Sequence, residues 1–153
     1  MADHSEAETT FKNQCESAAR TLAPLVGHFI DRVSFAAFND DDSLEIALWA
    51  GPSKPDVVIS LGGLRYVMVS KPPEISGCFV DEISLIHLPT TPHPWPEDAV
   101  GRVVRFDGLS ELAWLRIIGP AEVDVMASIV TVYVAVGDGT APSADGDSSS
   151  RQG

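Results

Sequence analysis

The chain is short of positive charge. Ten Lys and Arg stand against 22 Asp and Glu, a formal net charge of −12. That balance argues against duplex nucleic acid and anionic membrane surfaces as partners, since both are gripped through Lys and Arg that neutralise phosphates. A basic protein partner would instead be attracted and steered. Long apolar runs are missing too, and no stretch reaches the roughly 18 residues that cross a bilayer as a helix. Only two cysteines are present, Cys15 and Cys78, far apart and without CxxC or other metal-ligand spacing, so they read as free thiols. The segment Met1 to Thr10 carries Asp3, Glu6 and Glu8 with no basic start or apolar centre. It does not read as a secretory signal, and the expected location is cytoplasmic. No Gly-x-Ser-x-Gly, P-loop or dinucleotide glycine pattern occurs, so no cofactor and no catalytic residue set is expected.

What remains is an ordinary core-forming composition, 44% hydrophobic and 21% charged, which excludes wholesale disorder. At 153 residues one domain is expected, with a frayed N-terminus over 1–10, a β-rich body over 11–136 and a disordered, acidic Gly/Ser tail over 137–153. Within 11–30, Phe11, Cys15, Ala18, Leu22, Leu25 and Phe29 recur at helical spacing. Pro24 should kink or end that helix, and Gly27 should stop it.

The period then changes towards two. Val33 to Phe38 and Leu44 to Trp49 read as strands around an Asn39 to Ser43 turn. The segment Val57 to Val69 reads as a β-hairpin turning at Gly62-Gly63, because tight primed turns need positive φ. That register places Val57, Ile59, Leu61, Leu64, Tyr66 and Met68 on one apolar face, which the helix should cover. Phe79 to Leu88 reads as a strand, central because its later part is apolar on both sides. Pro89, Pro92, Pro94 and Pro96 make the next segment irregular, with a short helix starting at Pro96. Arg102 to Phe106 alternates like a strand, as do Ala113 to Ile118 and Glu122 to Val125, and Ser128 to Val136 is rich in strand formers. The expected fold is mainly β with one N-terminal helix, an antiparallel sandwich or curled sheet.

Several groups could carry chemistry or recognition. Asp40, Asp41 and Asp42 offer oxygens of the kind that hold calcium, but the EF-hand glycine and distal Glu are missing, and turns favour such residues anyway. Asp81 and His87 share a face of one strand yet stand about 20 Å apart, too far to act together. His93 could fold back towards His87, but no metal-ligand spacing supports a centre. Trp95 among the prolines could form a docking strip, or could be tucked against the sheet end. The acids Asp40 to Asp42, Glu97, Asp98, Asp107 and Glu111 fall in expected loops and suggest an acidic rim.

Two functions follow. The first is a non-catalytic protein-binding domain, of inhibitor or immunity type, whose acidic loops and Trp95 and His93 meet a basic partner. The second is a small-molecule binder or enzyme with a pocket near Tyr66, His87, His93 and Trp114. Homo-oligomers built by edge-strand pairing are a third role open to such strands.

Overall fold

The computed structural model describes residues 2–38, 41–49, 51–52, 56–73 and 77–134. It is mainly β with one N-terminal helix, as composition and periodicity indicate. There is one antiparallel sheet rather than a two-sheet sandwich.

Helix α1 runs Ala2–Leu22 and passes into a 3-10 turn, Ala23–Leu25, that contains Pro24. The helix therefore begins well before Phe11, over the segment expected to fray, where Ala and Glu favour helix and acids suit its positive N-terminal end. It also ends before residue 30, where Gly27 takes a φ of 93°. Six strands follow: β1 Phe29–Phe38, β2 Asp41–Trp49, β3 Val57–Ser70, β4 Glu82–Leu88, β5 Leu112–Ile118 and β6 Glu122–Val134. Their order across the sheet is β1-β2-β3-β6-β5-β4. Glu122–Val134, expected as two runs over Glu122 to Val125 and Ser128 to Val136, is one long strand, while Arg102 to Phe106 forms no strand beyond an isolated Val100–Val103 bridge.

The paired glycines do not make a hairpin. Val57 to Ser70 is one continuous strand whose neighbours are β2 and β6. Gly63 has a φ of 60°, and the pairing with β6 shifts by one residue between Leu64 and Tyr66, leaving Arg65 as the extra residue of a β-bulge. A positive-φ glycine beside a bulge bends a strand without reversing it. The first half of β3 pairs with β2 on one side and the far half of β6 on the other. Its second half pairs with β6 alone, whose near half carries β5. The long strands β3 and β6 thus hinge two halves of the sheet. The curl brings the sheet edges together at one end, where Phe29 at the start of β1 bridges Phe79, just ahead of β4. Ile30 N–H donates to Cys78 O and Val80 N–H to His28 O across this seam, at 2.8 and 2.9 Å.

The bend sorts side chains between two cores. Ile59, Leu61 and Leu64 face the inner one, where α1 lays Cys15, Ala18 and Leu22 against Ile46, Leu115 and Val125. Tyr66 is turned to the outer face, where Trp114 and Met126 lie beneath Trp95, Ala99 and Leu109. The single apolar face expected for a hairpin is therefore divided. The strand β4 is an edge strand, not a central one. It is apolar on both sides because α1 covers its inner face, while Leu88 joins the outer core.

Candidate functional site

Three places gather the side chains with chemical potential. On the outer face, strand alternation lines up Trp114 with Arg116 on β5 and Met126 with Asp124 on β6, and antiparallel register sets Arg116 opposite Asp124. Asp124 is the one buried charged residue among those described, at 3% exposure. Its carboxylate is well supplied. Trp114 Nε1–H donates to Oδ1 at 2.7 Å, Arg102 Nε–H donates to Oδ2 at 2.9 Å, and Arg116 Nε lies 3.9 Å from the same oxygen. The guanidiniums of Arg102 and Arg116 stand 5.4 and 5.2 Å from the Trp114 ring centroid, and Arg102 lies 5.9 Å from that of Tyr66. Arg102 also donates to the Asp98 carbonyl within its own segment, so its bond to Asp124 ties that braced 89–111 segment to the sheet.

The same segment closes around a second arginine. Arg105 sits 4.5 Å from the Trp95 ring centroid and donates to the carbonyls of Pro89 and His93 at 3.1 and 2.7 Å. Trp95 is buried, and its indole N–H donates to Pro89 O at 2.8 Å. Trp95 is thus tucked in rather than offered for docking: four prolines leave carbonyls without local N–H partners, and the indole and Arg105 supply the donors.

On the inner face, His87 Nε2 and Glu111 Oε1 are hydrogen-bonded at 2.6 Å, with both side chains mostly shielded. Phe11 meets the imidazole edge-on with ring centroids 5.9 Å apart. Cys15 lies alongside, and a groove of about 440 Å³ between α1 and β4 touches Lys12, Cys15, Arg20, Leu85 and His87. A Cys, His and Glu in one neighbourhood suggest a nucleophilic group, but the electrostatics run the other way. Burial, with the Glu111 and Glu16 carboxylates, pushes the Cys15 thiol up from 9.0 to about 12, so it carries no thiolate at neutral pH. Below pH 10 Cys15 is expected to resist alkylation by iodoacetamide in the folded protein and to react in urea, which mass spectrometry reads directly; rapid labelling without denaturant would contradict the assignment. The sign for stability follows. Between about pH 9 and 12 the unfolded chain loses this proton and the folded chain keeps it, so stability falls as pH rises through that window.

The four residues expected to share a pocket do not converge. Tyr66 and Trp114 flank Met126 on the outer face, His87 faces α1 from the opposite side, and His93 is exposed on the proline segment. The reason is the pleat: Ile86 is the residue opposite Trp114, and His87 next to it must point the other way. Of the expected acidic rim, Glu97 and Asp98 are exposed in a 3-10 turn, and Asp42 is a half-buried residue of β2 rather than part of a turn. Asp40 lies outside the described residues, as does the side chain of Asp41. Glu111 belongs to the His87 pair instead of the rim. No group of three or more His, Cys, Asp or Glu among the described residues could hold a metal ion.

The third place is the seam. Phe29, Trp49 and Phe79 are 41, 41 and 43% exposed, large for aromatic side chains that a core could have absorbed. The Phe29 and Trp49 rings lie 6.3 Å apart, and Phe79 is bridged to Phe29 through the backbone. Beside them a groove of about 440 Å³ is lined by Phe29, Ile30, Asp31, Trp49 and Gly77. Periodicity could not reveal this patch, since Phe29 falls in the helical spacing and Trp49 and Phe79 lie at the ends of two different strands far apart in the chain.

Fold and sites together define a mainly-β protein in which one helix fills a curled six-stranded antiparallel sheet. No protein-family model matches the chain, and no curated protein matches it. Among the described residues no helix is long and apolar enough to cross a membrane.

Proposed function

We propose that the protein is a non-catalytic binding domain for a basic protein partner, acting as an inhibitor or immunity-type protein would. The observation that carries this reading is how the few cations are used. Arg102 and Arg116 are turned onto buried Asp124, and Arg105 is held by Trp95 and two carbonyls. These three therefore do little to neutralise the surface. Asp81, Glu82, Glu97 and Asp98 are exposed, and none of them enters an ion pair with the described residues. In a chain of net charge −12 these exposed acids thus present a negative field that no paired cation among the described residues cancels.

Such a field accelerates encounter with a cationic surface, and it is screened over about 8 to 10 Å by physiological salt. Native cytosol passed over the immobilised full chain should leave basic proteins bound at low salt. Raising salt from 50 to 300 mM should weaken that association by roughly tenfold or more, mainly through slower association. Retention of neutral or acidic proteins only, or affinity that ignores salt, would count against the proposal.

A further inference from the structure

We infer that the seam groove between β1 and the Phe79 segment is the point of contact, and that its occupant is an extended basic segment of the partner protein with a large apolar anchor between lysines or arginines. This rests on the reading of the protein as a binder of basic partners and says where and how it binds. Three exposed aromatics converge there from three separate elements, Phe29 on β1, Trp49 at the end of β2 and Phe79 in the bridge before β4. Exposed aromatic clusters on otherwise charged surfaces are a mark of protein contacts, and Trp is the residue that most often dominates their energetics.

The backbone beneath is well held. Gly27 N–H donates to Val80 O and Gly77 N–H to Ile30 O, both at 2.8 Å, so the patch is presented by paired chain on both sides. A preorganised surface loses little entropy on binding.

The charge around the groove selects the occupant. Asp31 lines it, Asp81 is exposed two residues after Phe79, and Asp56 directly precedes Val57, which pairs with Leu48 next to Trp49. Arg32, a cation of the same strand, already leans on Asp31 at 3.6 Å. Phe29 stands between Trp49 and Phe79 in the pairing, so an apolar side chain laid against this row of three rings would place flanking lysines or arginines beside these acids. Self-association through the same aromatics would set acid against acid, which disfavours a second copy as the occupant.

Photo-crosslinking of the full chain tests this, with p-benzoylphenylalanine in place of Phe79, and in place of Val104, an 85% exposed residue of the 100–106 segment, as the control. In native cytosol the probe at 79 should link to a basic stretch of another protein, and the probe at 104 should not. Trp49→Ala and Phe79→Ala should each weaken affinity for that protein tenfold or more while still unfolding cooperatively above the assay temperature, since both side chains are about two-fifths exposed. A link from 79 to a second copy, links from 104 only, no link at 79, or alanine variants within twofold of the parent would overturn the assignment. If salt-sensitive retention of basic proteins persists in those cases, only the location is wrong. If that retention is itself missing, the binding function falls as well.

Discussion

Replacing Asp124 with alanine should lower the unfolding free energy by about 3 kcal/mol, since removing one partner of a buried ion pair leaves the others uncompensated. Trp114 Nε1–H would lose the carboxylate that accepts from it inside the outer core, and Arg102 and Arg116, both beside Trp114, would lose the charge they share. The arginines are about a quarter to a third exposed, so water recovers part of the loss and the lower end of the usual range applies. For a chain of this size that corresponds to a melting temperature lower by about 10 °C. Asp124→Asn keeps an acceptor oxygen for the indole and removes only the charge, so its effect should be about half as large. Urea denaturation of both variants measures this. A loss under about 1 kcal/mol for the alanine variant, or a larger loss for asparagine than for alanine, would show that Asp124 does not hold the 89–111 segment to the sheet.

The second large effect is at the glycine pair, and it separates a bend from a turn. At Gly63 the backbone is left-handed, with φ 60°, and an added Cβ would stand 2.0 Å from Ser128 Oγ and 3.3 Å from Ser128 Cβ. Gly63→Val is expected to cost about 3 to 4 kcal/mol, combining backbone strain of roughly 1 to 2 kcal/mol with the displacement of Ser128 and the extra restriction of a β-branched side chain. Gly63→Ala in a Ser128→Ala background should recover the steric share and retain the strain. One residue earlier the outcome is opposite. A Cβ at Gly62 would make ordinary contact with Ile129 at 3.6 Å, and φ there is not positive. Gly62→Ala should therefore be neutral within about 0.5 kcal/mol, or slightly stabilising through the unfolded chain. A two-residue type I′ turn would need both glycines, so equal losses at the two positions would favour the hairpin over the bent strand.

The elements were largely legible because each has a local cause. The apolar spacing of Cys15, Ala18, Leu22 and Leu25 does mark the inner face of the helix and its 3-10 extension, and the alternation of Leu44, Ile46 and Leu48 does mark the inner face of β2. The start of a short helical turn at Pro96 was equally visible. The functional candidates were not. The acid at 124 looked like any solvent-facing member of an alternating strand. Only pairing to β5 sets it opposite Arg116 and under Trp114, and only the returning 89–111 segment brings Arg102 to it. The same is true of His87 and Glu111, 24 residues apart and joined by a 2.6 Å bond that no local pattern encodes. Phe29 fell in the helical spacing of 11–30, and Trp49 and Phe79 stood at the ends of two separate strands, so nothing local joined the three. Their exposure depends on where the sheet edges meet.

Composition and periodicity alone determined that this chain is acidic, β-rich and led by one amphipathic helix, because charge count, side-chain spacing and capping are properties of neighbours along the backbone. Tertiary structure decided that two glycines bend one strand rather than join two, that the strand expected at the centre is an edge, and that Arg102, Arg105 and Arg116 are turned onto buried Asp124, Trp95 and backbone carbonyls. Those outcomes depend on which strand lies beside which, and pairing partners far apart in the chain are chosen by the packing of the whole sheet around its helix.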